Sequence, residues 1–314
     1  MSKIVAIGEA LIDFIPGESG KAIKQVDTFT PKVGGAPANV CGVFARLGQQ
    51  SQMITQLGQD PFGDKIVEEF MKFGIGCDYI QRTNQANTSL AFVALKEDGN
   101  REFSFYRKPG ADMLLQPDRI QKKWFGDVDV LHFCSVSLGN FPMKQAHEKA
   151  IEYALEEDCF VSFDPNLRLA LWEDEKELYQ AVQEFLPKAH ILKISDEELE
   201  FITGCKTIDE AREVLFQGNV KLVIYTKGSE GAEAFTRNAK GSSPGKKVKA
   251  VDTTGAGDAF IGSFLYQLTR DGVGKEDLES LSKEKLEEYL DYSNEYCARS
   301  VVKQGAIASY PREF

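Results

Sequence analysis

The sequence predicts an α/β fold: a mostly parallel sheet covered by helices on both faces, with a small β-sheet appended. Short, apolar, β-branched runs alternate with longer stretches of helical period, the pattern of strands joined by crossover helices. Two stretches, 10–33 and 88–107, break this rhythm and carry no helical period. The chain has 314 residues, which permits one large domain or two ordinary ones, with ample core.

In chain order, the expected strands are KIVAIG (3–8), MITQLG (53–58), VDVLHFCSVSL (128–138), CFVSFDPN (159–166), AHILKIS (189–195) and VKLVIYTKG (220–228). Each is short and largely apolar, as strands buried on both faces are. Helices fall between them. Over 64–73, Ile66, Val67, Phe70 and Phe73 share one face, and 145–155, 176–185 and 208–216 follow the same rule. A long helix over about 283–302 comes last. Of the two irregular stretches, LAFVAL and REFSFYR flank the turn EDGN (97–100), a hairpin signal. Alternation places Phe103 and Phe105 on one face, with Ser104 and Tyr106 on the other. Together the stretches predict a small antiparallel sheet projecting from the α/β body, either a lid over a site that excludes water or an ordinary edge hairpin.

The chain carries 48 Asp+Glu against 37 Lys+Arg, a net charge of −11. Such a surface repels phosphate backbones and anionic lipid, which argues against nucleic-acid and membrane partners. An anion bound here must be held by local amides, selected cations or a metal. The six cysteines show no CxxC pair or zinc spacing, and the first residues lack the basic flank and apolar length of a signal peptide. No stretch approaches the ~20 apolar residues of a membrane span. A reducing cytoplasm is the expected compartment.

The most informative run is VDTTGAGDAF (251–260), followed by IGSFLYQL. Gly255-Ala256-Gly257 halts the preceding segment, and Phe260, Ile261, Phe264 and Leu265 then start a helix. Small residues at a helix start leave its first N–H groups open to an anion, with the positive end of the dipole behind them. Asp258 is the anomaly, because a carboxylate repels a ground-state phosphate. It is either a base that takes a proton from an attacking hydroxyl while the amides hold the transferring phosphoryl group, or a carboxylate that serves the helix dipole beside a plain glycine turn. The run is no dinucleotide fingerprint, since position 260 is Phe260, and no Walker A loop occurs.

A second run, VGGAPANVCGVFARLG (33–48), places Gly34-Gly35 and Pro37 before a helix that Asn39 is expected to begin. Asn39 there is either a cap or a reader of ligand hydroxyls. Asp13, inside the apolar run ALIDFI, needs a partner or a substrate. His132, His147 and His190 lack metal-ligand spacing and read as structural.

These runs together resemble the ribokinase-like (PfkB) family of carbohydrate kinases. GGAPANVCGVFARLG is similar to the family's N-terminal signature and DTTGAGDAF to its C-terminal one. GQDPFGD (58–64), FDPNLR (163–168), KISDEELEFITG (193–204) and TKGSEG (226–231) fall between them in family order. The resemblance spans essentially the whole chain and implies a single domain over 1–314, a three-layer α/β/α fold with a small β-sheet lid, here about 10–33 and 88–107. EFSFYRKPGADMLL (102–115) and DPNLRLALW (164–172) look most like the fructokinase branch.

By that resemblance Asp258 is the base, and the amides of Gly255, Ala256 and Gly257 form the anion hole. The sugar contacts map onto Asp13, Gly35 and Asn39. Arg107 and Arg168 are the cations expected at the phosphates or the sugar's polar end, Arg168 because ligands of open α/β sheets gather at strand carboxyl ends. Glu198 matches the acid of the family's NxxE motif, tied to Mg²⁺ through water, although Ser195 stands where the motif has Asn. Thr226, Gly228 and Gly231 match the nucleotide-binding turn, and Asn294 falls where the family contacts adenine. Asp252, Thr254, Gly305 and Ser309 map onto a K⁺ site. The resemblance thus implies ATP and Mg²⁺, with K⁺ as a further candidate, a small sugar as partner, and pairing of two chains through the lid.

D-fructose, phosphorylated at its 6-hydroxyl, is the leading substrate, and 2-keto-3-deoxygluconate or another sugar or nucleoside of the same family is the alternative. A binding regulator that retains the pocket would be free to lose Asp258. A nicotinamide oxidoreductase would need a fingerprint after the first strand, where the sequence reads GEALID (8–13).

Overall fold

The computed structural model describes residues 1–18, 20–95 and 101–312. Strands β1 (Lys3–Ile7), β2 (Leu11–Pro16) and β3 (Phe29–Gly34) precede helix α1 (Ala36–Arg46). Next come β4 (Gln50–Gly58), α2 (Pro61–Phe73), β5 (Ile80–Thr83), β6 (Leu90–Leu95) and β7 (Arg101–Tyr106). The middle alternates through β8 (Val130–Cys134), α3 (Pro142–Glu156), β9 (Phe160–Asp164), α4 (Glu175–Phe185) and β10 (Ile191–Ser195). Helices α5 (Asp196–Thr203) and α6 (Ile208–Leu215), strands β11 (Leu222–Thr226), β12 (Gly231–Phe235) and β13 (Lys240–Pro244), and helices α7 (Ala256–Arg270) and α8 (Lys283–Ser300) follow.

Among the described residues the central sheet has nine strands in the order β13-β12-β11-β10-β9-β8-β1-β4-β5. Every pair from β11 to β5 is parallel, while β12 and β13 add antiparallel neighbours at one edge. Both faces are buried. On β1, Val5 and Ile7 join a core with Phe133, Phe163 and Phe185, while Ile4 and Ala6 join an opposite core with Phe44, Phe264 and Tyr289. This alternation is why the strands read as continuous apolar runs. Among the described residues no helix is long and apolar enough to cross a membrane.

A second sheet orders β3-β2-β6-β7. The expectation of an antiparallel sheet is half right: β2–β3 and β6–β7 are antiparallel, but β2 and β6 run parallel. A hairpin forces antiparallel pairing, whereas β2 and β6 are separated by α1, β4, α2 and β5, which supply the crossover a parallel pair needs. The expected turn at 97–100 lies outside the described residues. Phe103 and Phe105 share a face as expected, their rings stacked 5.7 Å apart.

Two further boundaries differ. The run 128–138 is strand only to Cys134; Ser135–Ser137 form a 3₁₀ turn, where Ser135, Val136 and Ser137 are buried. Asn39 does not begin α1. The helix starts three residues earlier, capped by Gly35 at φ 122° with Pro37 in its first turn, where a missing N–H costs nothing.

Candidate active site

Near the carboxyl ends of β8, β9 and β10, Cys134, Asp164 and Lys193 lie within electrostatic reach of Asp258 in the first turn of α7. Gly255, at φ 74°, turns the chain into that helix. A Cβ there would sit 2.6 Å from Tyr310 Oη and 2.8 Å from Ala306 Cβ, so only glycine fits. The turn is braced from behind: Tyr310 Oη donates to the Gly255 carbonyl at 2.9 Å, and the Cys297 thiol to the Ala256 carbonyl at 3.2 Å. Asp252 accepts from the Thr254 N–H and the Gly305 N–H, both at 2.9 Å. Of the three amides expected in the anion hole, Ala256 N–H donates to Thr253 O at 3.2 Å. Gly255 and Gly257 N–H have no partner among the described residues, so they remain the free donors at this helix start.

Asp258, in the first turn of α7, is 7% exposed and accepts a hydrogen bond from Asn39 Nδ2 at 2.8 Å. Burial raises its pKa, opposed by that hydrogen bond and by the charges of Arg168 and Lys193. The Asn39 Oδ1 atom is buried without a partner. Asp13 on β2 lies against Gly34, leaving no space for a Cβ there. Burial lifts its carboxyl to about 6, with Arg168 pulling the other way. Arg168 is exposed, its Nη1 donating to Leu167 O at 3.3 Å. Gly35 joins β3 to α1, where a Cβ would press on the Glu9 carbonyl. Asp13, Asn39, Arg168 and Asp258 thus form one group.

Arg107 does not join that group. It is 6% exposed and spends its forked donors on Asp112, with Nη2 at 2.5 Å and Nε at 2.9 Å from Oδ2. A buried guanidinium needs a counter-ion, and the carboxylate five residues on supplies it. Glu9 completes this network, accepting from Ser137 Oγ at 3.2 Å and Ala36 N at 3.3 Å. Burial pushes Glu9 up to about 7 against the pull of Arg107. Arg107 also borders a cavity of about 460 Å³, walled by Phe105, Phe141, Leu171, Trp172 and Glu177, with no residue from the start of α7 in its lining.

Glu198 closes the start of α5, accepting from Ser195 N at 2.9 Å and Leu167 N at 2.8 Å. Burial works against its charge, but Lys193 and those amides outweigh it and hold its pKa low. Each carboxylate oxygen already takes one backbone N–H, so a cation held here would suit a water-mediated contact. Thr226 ends β11, its Oγ1 donating to Ile194 O at 3.4 Å. Gly228 (φ 51°) and Gly231 (φ 104°) shape the next turn, with open space at Gly228. Asn294 on α8 donates through Nδ2 to Ser243 Oγ at 3.0 Å, fastening α8 to β13. Asp252, Thr254 and Gly305 are brought together as expected, and Ser309, one 3₁₀ turn on, donates to Ala306 O at 2.8 Å.

Sequence reasoning missed Lys193 and Asp164. Lys193 Nζ lies 3.0 Å and 3.2 Å from the two Asp164 oxygens, with residue exposures of 6% and 1%. The signal was present: KIS and SFD place a charge inside strands otherwise buried on both faces.

The model described as pfkB family carbohydrate kinase matches residues 1–313. The fructokinase of Solanum tuberosum is 42% identical over 311 residues, 99% of this chain and 93% of that protein. A fructokinase from Xylella fastidiosa with bound ATP superposes with TM-score 0.90 at 33% identity, over 98% of this chain and 95% of that one. A double mutant of the fructokinase from Vibrio cholerae O395, in fructose, ADP and potassium ion bound form, gives TM-score 0.86 at 34% identity, over 99% and 96%. With a free-amide helix start, a buried carboxylate beside it and a family match over nearly its whole length, the chain belongs to the pfkB family of carbohydrate kinases.

Proposed function

We propose that the chain is an ATP-dependent fructokinase, producing fructose 6-phosphate. Asp258 carries the reading: it is the one carboxylate placed in the first turn of α7, beside the unpartnered Gly257 amide. Asp258 accepts the proton of the sugar's primary hydroxyl. The hydroxyl oxygen bonds to the γ-phosphorus as the bond to the ADP oxygen breaks and its electron pair leaves with ADP. The Gly255 and Gly257 amides receive the charge that develops on the transferring group, each such donor being worth ~10²–10³ in rate. Asn39 orients Asp258 through Nδ2 and turns its vacant Oδ1 to a sugar hydroxyl. Asp13 accepts from another hydroxyl, which a polyol demands once water is expelled. The second sheet, rooted at Asp13 and Arg107, acts as the lid. Glu198 would hold Mg²⁺ through water, and the ion would neutralise phosphate charge. A neutral hexose fits better than 2-keto-3-deoxygluconate, because Arg107 is committed to Asp112 and Arg168 already faces two carboxylates.

Coupled ADP release over fructose, glucose, ribose, adenosine and ketodeoxygluconate tests the substrate, with fructose expected to give the highest kcat/KM. Asp258→Asn should lower kcat by ~10²–10⁴ while ADP affinity holds. An Asp258→Asn enzyme that turns over fructose at the wild-type rate removes the assignment.

A further inference from the structure

On the opposite face of β10 from the Leu192 and Ile194 core, Lys193 extends its side chain towards α7. Its ammonium would stand 3.3 Å from a Cβ placed on Gly257. Asp164 takes up one side of that ammonium, and Glu198 and Asp258 bear on it as well. One carboxylate is in contact with this buried cation, and two more act on it through their charge. A salt bridge to Asp164 alone could sit anywhere in the core, and breaking a buried pair is costly wherever it lies. This pair lies where the Gly257 amide meets an incoming anion. Burial opposes the charge, but the three acids outweigh it and keep Lys193 protonated.

We propose that Lys193 is the catalytic cation of phosphoryl transfer, its ammonium contacting the transferring group beside the Gly257 amide. The proposal rests on the kinase reading above. Arg168 is exposed and Arg107 is committed elsewhere, which leaves Lys193 as the buried cation facing the start of α7 among the described residues. During transfer Lys193 keeps its proton, and the hydroxyl proton goes to Asp258. The ammonium screens the γ-phosphoryl oxygens from Asp258, Asp164 and Glu198, whose negative charge would otherwise repel them.

Lys193→Met should lower kcat by ~10²–10³, the usual loss when a preorganised donor to the transition state is removed, with far smaller changes in the KM for fructose and the Kd for ADP. That variant strands Asp164 as an unpaired buried charge, so Lys193→Met combined with Asp164→Asn is the companion. The double variant should regain thermal stability and stay slow. If it regains kcat with its stability, Lys193 serves only to neutralise Asp164 and the proposal falls. The wild-type protein with ADP, aluminium fluoride and fructose gives a readout independent of folding. A crystal structure should show fluoride in contact with the Lys193 ammonium, and fluoride remote from it would also overturn the idea. Wild-type protein that releases no ADP with any sugar would sink the kinase reading itself, a result separable from either of these.

Discussion

On the proposed reading, Asp13 ties sugar binding to pH. With its carboxyl lifted to about 6 by burial, it is ionised above that pH and protonated below it. Only the ionised form offers both oxygens to sugar hydroxyls. The KM for fructose should therefore be flat above about 6 and rise roughly tenfold per pH unit below it, the slope of one proton. Asp13→Asn should raise KM at all pH values and flatten that limb. Initial rates across the acid range check this, and an unchanged limb in the variant would move the titration to another group. The linkage sign for folding is the reverse. A raised acid binds its proton more tightly when folded, so its contribution to stability is full below the ordinary value of 3.8 and lost as pH rises through about 6. Asp13 was legible because a carboxylate in an apolar run demands a reason. Lys193 lies in the same kind of apolar run, AHILKIS, but its partner Asp164 is 29 residues away in sequence and only the fold brings the two together.

The loop before α7 is the element on which the reaction turns. Gly255 holds a left-handed conformation against Tyr310, and Asp252 ties Thr254 to Gly305. Free Gly255 and Gly257 amides cost conformational order unless something fixes the turn. A K⁺ among the oxygens of Asp252, Thr254, Gly305 and Ser309 would do so without a covalent change. Fructose-dependent kcat should rise when Na⁺ or a bulky organic cation is replaced by K⁺, with the KM for fructose nearly unchanged; equal rates in all three buffers would exclude the site. Elements such as this one were largely legible. The glycine stop, the helix at Phe260, Ile261, Phe264 and Leu265, and the β1, β4, β9, β10 and β11 runs follow from local composition. What local composition does not encode is pairing between distant segments. The parallel β2–β6 ladder, the Arg107–Asp112 pair under β7 and the use of Ala256 N–H in the turn each depend on tertiary approach. Periodicity also cannot say where a buried run stops being strand, and so 135–138 was assigned to β8.

At the scale of the whole molecule, the second sheet leaves edges. Among the described residues, strand β3 pairs only with β2, and β7 only with β6. On β7, Phe103 is 40% and Tyr106 is 64% exposed, on opposite faces, and Ile15 on β2 is 38% exposed. An exposed edge flanked by aromatics is a template for another strand unless something covers it. A second copy of the lid offers a matching edge and matching apolar side chains, and pairing would stiffen the sheet that carries Asp13. Charge opposes the encounter, since each chain bears −11 at neutral pH. The prediction is a dimer that strengthens with salt, because screening removes repulsion while leaving apolar burial intact. Sedimentation equilibrium at low and high ionic strength reads this directly, with Tyr106→Lys as the variant expected to shift the population toward monomer. The KM for fructose should rise in step with the monomer fraction if pairing supports Asp13. A chain that stays monomeric at high salt, with wild-type fructose kinetics, would show that the lid works alone and that its aromatic edge serves closure over the sugar.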